Sequence, residues 1–69
     1  MIETFKTNVH TEKDALQIID VLKKIFFKAK INFDLEDCDK ILRVEGIKNS
    51  EHKYIINYFN QLGYYCEVL

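Results

Sequence analysis

Ile31-Asn32-Phe33-Asp34-Leu35-Glu36-Asp37-Cys38-Asp39-Lys40-Ile41-Leu42-Arg43-Val44-Glu45 is the stretch on which the fold turns. Ile31, Phe33 and Leu35 alternate with Asn32 and Asp34. Leu42 and Val44 stand opposite Ile41, Arg43 and Glu45. Period-two patterning marks half-buried strands, and Glu36-Asp37-Cys38-Asp39 between them is polar and turn-prone. The stretch therefore reads as a β-hairpin. Whatever flanks this hairpin decides how it is completed into a domain.

On its N-terminal side, Ile2 to Val9 alternates again, with Phe5, Thr7 and Val9 inward. From Thr11 to about Lys28, Ala15, Ile18, Ile19, Leu22, Ile25 and Phe26 recur at three- and four-residue spacing, one helical face. Thr11 is placed to cap the first turn, with Glu12 and Asp14 at the positive end of the helix dipole. Lys23, Lys24, Lys28 and Lys30 cluster at the other end and read as a solvated, dipole-matched helix terminus.

On its C-terminal side, Gly46 closes the hairpin. Ser50 is the expected N-cap of a second helix whose apolar face is Ile55, Tyr58, Phe59 and Leu62. Gly63 is the expected left-handed stop. Tyr64 to Leu69 reads as a last strand, with Cys66 and Val68 sharing one face. Strand, helix, strand, strand, helix, strand with right-handed crossovers gives an α+β, ferredoxin-like βαββαβ sandwich. It has a four-stranded antiparallel sheet and two helices on one face. This order predicts that His10, Thr11, Asp14, Cys38 and Tyr64 gather at one end.

Sixty-nine residues form one domain with a small core. Ten basic residues against eleven acidic ones leave a net charge of -1, which provides no basic footprint for nucleic acid. The open sheet face carries Thr4, Lys6, Asn32, Asp34, Ile41, Arg43, Glu45 and Glu67, which is not a base-stacking platform. Apolar runs of three residues or fewer predict no membrane span, and no secretory leader is visible. The two cysteines, Cys38 and Cys66, fit a reducing, cytoplasmic setting. Cys38 is expected on the surface and Cys66 in the core. No nucleophile stands beside a positioned base, and no glycine-rich phosphate loop exists, so an enzyme is not expected.

Phe5-Lys6-Thr7-Asn8-Val9, Asp34-Leu35-Glu36-Asp37, Leu42-Arg43-Val44-Glu45-Gly46 and Leu62-Gly63-Tyr64-Tyr65-Cys66-Glu67-Val68-Leu69 together resemble the heavy-metal-associated domain family. That family occurs as free copper chaperones and in the N-terminal regions of copper-transporting P-type ATPases. The resemblance covers nearly the full length and implies the same sandwich. It also implies a Cys-x-x-Cys metal loop, whose two thiolates suit Cu(I). Carried across, those ligand positions fall on Thr11 and Asp14, neither of them soft. A second departure is Phe26-Phe27-Lys28, where the family often has Gly-Val. There a longer first helix and a partly exposed Phe27 are expected.

Two functional expectations follow. The first is a non-enzymatic binding module, without cofactor, that has lost its copper loop and contacts a protein partner through His10, Thr11, Glu12 and Tyr64. The second is a metal-binding or metal-trafficking protein holding Zn or Cu weakly through His10, Asp14 and Cys38, a donor set adequate for Zn(II). A monomer or a weak homodimer is expected, the latter paired through Ile31 to Glu36 or Tyr64 to Leu69.

Overall fold

The alternating segments become strands and the three-four segments become helices. The computed structural model describes residues 2–69. Strand β1 (Ile2–Thr7) leads into helix α1 (Glu12–Ile25), followed by β2 (Lys30–Asp34) and β3 (Ile41–Glu45). Helix α2 (His52–Gln61) and strand β4 (Cys66–Val68) complete the chain. The strands form one antiparallel sheet in the order β2-β3-β1-β4. Phe5, Ile31, Leu42, Val44 and Cys66 from the sheet join Ala15, Ile18 and Leu22 of α1 and Ile55 and Phe59 of α2 in one buried cluster. Both helices therefore cover the same face, and the architecture is the ferredoxin-like sandwich.

Pleat alternation explains which strand residues enter that cluster. Phe5 and Thr7 are buried on β1, Ile31 on β2, and Leu42 and Val44 on β3. Phe5, Phe59, Leu22, Leu42, Ile55, Val9 and Val44 are the largest fully buried side chains. Phe59 is the aromatic centre, with the rings of Phe33, Tyr58 and Tyr64 all about it at 6.3–6.4 Å.

The structure corrects several boundaries. Helix α1 stops at Ile25, not near Lys28, so it is not extended. Phe26 leaves helical geometry (φ -113°, ψ 64°) while its N–H still donates to the Leu22 carbonyl at 2.8 Å. The Ala29 N–H then donates to the Phe26 carbonyl at 2.9 Å, closing a turn that drops Ala29 and Ile31 into the core. Ile25 is 58% exposed and does not belong to the apolar face, whereas Phe27, at 76%, is exposed as expected. Gly46 closes β3 with φ +98°, a left-handed conformation that suits glycine, and its backbone passes close to Ala29.

Ser50 does not cap α2. It lies inside a 3-10 turn, Asn49–Glu51, that precedes the helix. The Lys48 N–H donates to Glu51 Oε1 at 2.8 Å, which closes the 3-10 turn, and α2 itself starts after Glu51 without a side-chain cap. At the far end Gly63 does adopt the left-handed stop (φ +85°), but Leu62 is exposed rather than core. The last strand is shorter than Tyr64 to Leu69, and Val68 does not share the burial of Cys66. Ile41, expected among polar neighbours on the open face, is only 6% exposed and lies outside the helix-side cluster.

Candidate functional site

The end of the sandwich where β1 meets α1 is fastened by side chains of β1 and of two loops. Thr7 is the one buried polar residue among the described residues. Its hydroxyl donates to the Lys40 carbonyl at 2.6 Å and accepts the Val9 N–H at 3.3 Å. The Thr7 N–H donates to the Asp39 carbonyl at 3.1 Å, and Lys6 Nζ lies 3.5 Å from Asp39 Oδ1. Lys40 holds a positive φ of 47°, and its ammonium donates to the Leu35 carbonyl at 2.8 Å. Asn8 Oδ1 accepts the Tyr65 N–H at 2.8 Å, which brings the start of the last strand to the same end. That side-chain bond replaces a strand partner for Tyr65, which is why β4 begins one residue later.

Within this frame α1 begins with a formed cap. Thr11 is extended (φ -110°, ψ 147°), and its hydroxyl accepts the Asp14 N–H at 3.1 Å while its carbonyl accepts the Ala15 N–H at 3.0 Å. Glu12 and Asp14 add negative charge in the first turn, where exposed N–H groups favour it. Asp14 also meets Tyr64 from the α2–β4 connection. Hydrogen bonding to the Asp14 carboxylate holds the Tyr64 phenol above its ordinary pKa, with desolvation and the carboxylate charge adding to it. Asp14, Ile18, Tyr58, Leu62 and Tyr64 line a groove of about 450 Å³ between the two helices.

The expected site residues thus divide. Thr11 and Asp14 are joined by the cap, and Asp14 and Tyr64 line one groove. His10, Thr11 and Glu12 are exposed beside them. Cys38 is an exposed free thiol in the hairpin turn. Among the described residues, one group of three metal-capable side chains has all its ligand atoms within 4.8 Å of one another, and it is Asp37, Cys38 and Asp39. His10, Asp14 and Cys38 do not form such a group. Asp37 Oδ1 accepts the Asp39 N–H at 2.8 Å, an ordinary Asx turn that explains the clustering.

The donor set at positions 11 and 14 does not fit a cuprous ion. Soft sulfur selects Cu(I). Here the donors are a hydroxyl engaged in capping and a carboxylate beside a phenol. Cys66 is buried and faces the core, and burial pushes its thiol up to about 12, so it stays protonated and inert as a ligand.

At the opposite pole His52 Nε2 lies 3.2 Å from Glu3 Oε2, with the imidazole edge-on to the Phe5 ring at 5.5 Å between centroids. On the open face Tyr65 donates from its hydroxyl to Glu67 at 2.6 Å, and Arg43 reaches Asp34 at 3.4 Å. The sequence reading missed Asn8, Lys40 and the Glu3–His52 pair. Their partners are distant in sequence, and no local spacing marks them. No helix among the described residues is long and apolar enough to cross a membrane. No protein-family model matches the chain, and neither a curated protein nor a solved structure matches it.

Proposed function

We propose that this chain is a non-enzymatic protein-interaction module of a reducing, cytoplasmic setting, resembling a heavy-metal-associated domain whose copper loop has become a helix start. The observation that carries this reading is the Thr11 cap on Asp14 at 3.1 Å. A metal loop must rearrange around its ion, whereas a capped helix start is held by its own side chains. The contact surface is the same end, made of His10, Thr11, Glu12 and Tyr64. The inter-helix groove lined by Tyr58, Leu62 and Tyr64 supplies apolar area beside it, and tyrosine is enriched among residues that carry binding energy.

The metal-trafficking alternative has less support, because His10, Asp14 and Cys38 do not group their ligand atoms. A partner recovered with immobilised full-length protein tests the interaction reading. Tyr64→Ala and Glu12→Lys are expected to weaken that complex by tenfold or more, on the order of a single interface anchor, with the fold intact by circular dichroism. A complex indifferent to both substitutions would reject this surface.

A further inference from the structure

The backbone hydrogen bonds determine which groups the outer edge of the sheet leaves free. The Leu69 N–H donates to the Thr4 carbonyl at 3.0 Å, so Thr4 and Lys6 turn toward β4. The Thr7 N–H donates to the Asp39 carbonyl, so Glu3, Phe5 and Thr7 turn toward β3. Groups on an antiparallel strand alternate between its two neighbours. Leu42 and Val44 therefore bond to β1, while Ile41, Arg43 and Glu45 bond to their partners Asp34, Asn32 and Lys30 on β2. What remains unpaired along β2 is the N–H and C=O of Ile31 and of Phe33.

We propose that β2 pairs antiparallel with β2 of a second copy of this chain about a two-fold axis at Asn32, joining two sheets into one. In that register Ile31 faces Phe33 of the second copy, so the unpaired groups meet as a hydrogen-bonded pair on each side of the axis. Lys30 then faces Asp34 of the second copy, and Asp34 faces its Lys30. A lysine on an edge strand ordinarily repels a second copy. Here the five-residue strand Lys-Ile-Asn-Phe-Asp is self-complementary in charge and in apolar character. A register shifted to bring Leu35 into pairing is disfavoured, because the Leu35 carbonyl already accepts the Lys40 ammonium.

The surroundings of β2 favour the same occupant. Beside the edge, Leu16, Ile19, Phe33 and Leu35 line a trough of about 410 Å³ with Glu12 and Glu36 on its rim. Leu16 is 59% exposed on α1. A second sheet added at β2 covers that trough with the matching face of the second copy. The other edge offers no such pairing. β4 has three residues, and the equivalent two-fold axis would set Glu67 against Glu67. This interface rests on the β2 edge and shares only Glu12 with the loop-end contact proposed above.

The test uses the full chain in sedimentation equilibrium up to millimolar concentration. Wild type is expected to approach twice the 8.2 kDa of one chain. Lys30→Asp and Asp34→Lys each set like charges opposite one another at both ends of the pairing and are expected to weaken it at least about tenfold. In a mixture of the two variants the substituted positions face one another with opposite charges. The native Asp34 of the first variant likewise faces the native Lys30 of the second. Mixing is therefore expected to restore the dimer as a heterodimer. Dilution of the wild type, followed by amide shifts, needs no variant and is expected to move residues 30–34 and Leu16. A wild type that stays monomeric, single variants that dimerise unchanged, a mixture that remains monomeric, or dilution shifts confined to another surface would each overturn the proposal.

Discussion

The Thr7 hydroxyl donates to the carbonyl of Lys40 across 33 positions of sequence, at 2.6 Å. One buried side chain thereby ties the end of β1 to the last residue of the hairpin turn, where Lys40 holds a positive φ. The same oxygen accepts the Val9 N–H. Thr7→Val keeps the shape and leaves both backbone groups unpartnered. It is expected to lower unfolding free energy by about 1–3 kcal/mol, with Thr7→Ser costing less. Urea unfolding at constant m checks this. A valine variant as stable as wild type would mean that the hydroxyl contributes nothing.

The Thr11 cap has a separable effect. Thr11→Ala is expected to cost about 1 kcal/mol and Thr11→Ser only a fraction of that, since serine caps as well. Hydrogen exchange should show the loss concentrated in the first turn of α1. Uniform loss across the domain, or none, would contradict a working cap.

The two thiols should behave as different species. Cys38 is exposed, whereas Cys66 is buried with its thiol held up to about 12. An alkylating reagent is expected to modify Cys38 in the folded protein and Cys66 only on unfolding. The pH dependence follows from the same burial. Below the ordinary thiol value of 9.0 both folded and unfolded chains keep Cys66 protonated. Above it the unfolded thiol ionises first, so stability falls as pH rises toward about 12, where the folded thiol ionises too. Cys66→Ala should lower stability near neutrality yet flatten that alkaline decline. A decline equally steep in the variant would assign it to other groups.

Gly63 offers a measure of pure backbone strain. Its φ is +85°, and a Cβ built there meets nothing within 4 Å. Gly63→Ala is therefore expected to cost about 1–2 kcal/mol from left-handed geometry alone, with Gly63→Asn costing less. Thermal unfolding of the two variants checks the order.

Much of the architecture was legible because strands and helices impose different periods on buried residues. Phe5 and Thr7, Leu42 and Val44, and Ile55 and Phe59 all lie buried as the patterns require. Boundaries were less legible where pattern and tertiary need diverge. Ile25 and Phe26 continue the helical period, yet the chain must turn at Phe26 to bury Ala29. Ser50 looks like a cap, but it falls inside a 3-10 turn closed by the Lys48–Glu51 bond, and α2 starts without a side-chain cap. The cap at Thr11 was readable because its partner is three residues away. The bond from Tyr65 to Asn8 spans 57 positions and leaves no trace in local spacing. The failure of His10, Asp14 and Cys38 to group has the same origin, since topology brings loops to one end without fixing which side chains converge.

We propose that residues 10–14 form a helix start fastened by the Thr11 cap, at the place where the resembled family holds a metal. An amide chemical-shift titration of the reduced protein, first with Cu(I) and then with Zn(II), addresses it most directly. The expected result is no saturable change, with only weak shifts scattered over surface carboxylates. Saturable shifts at low micromolar ion, confined to His10 through Asp14 and Cys38, would contradict the claim and establish a metal site at this end.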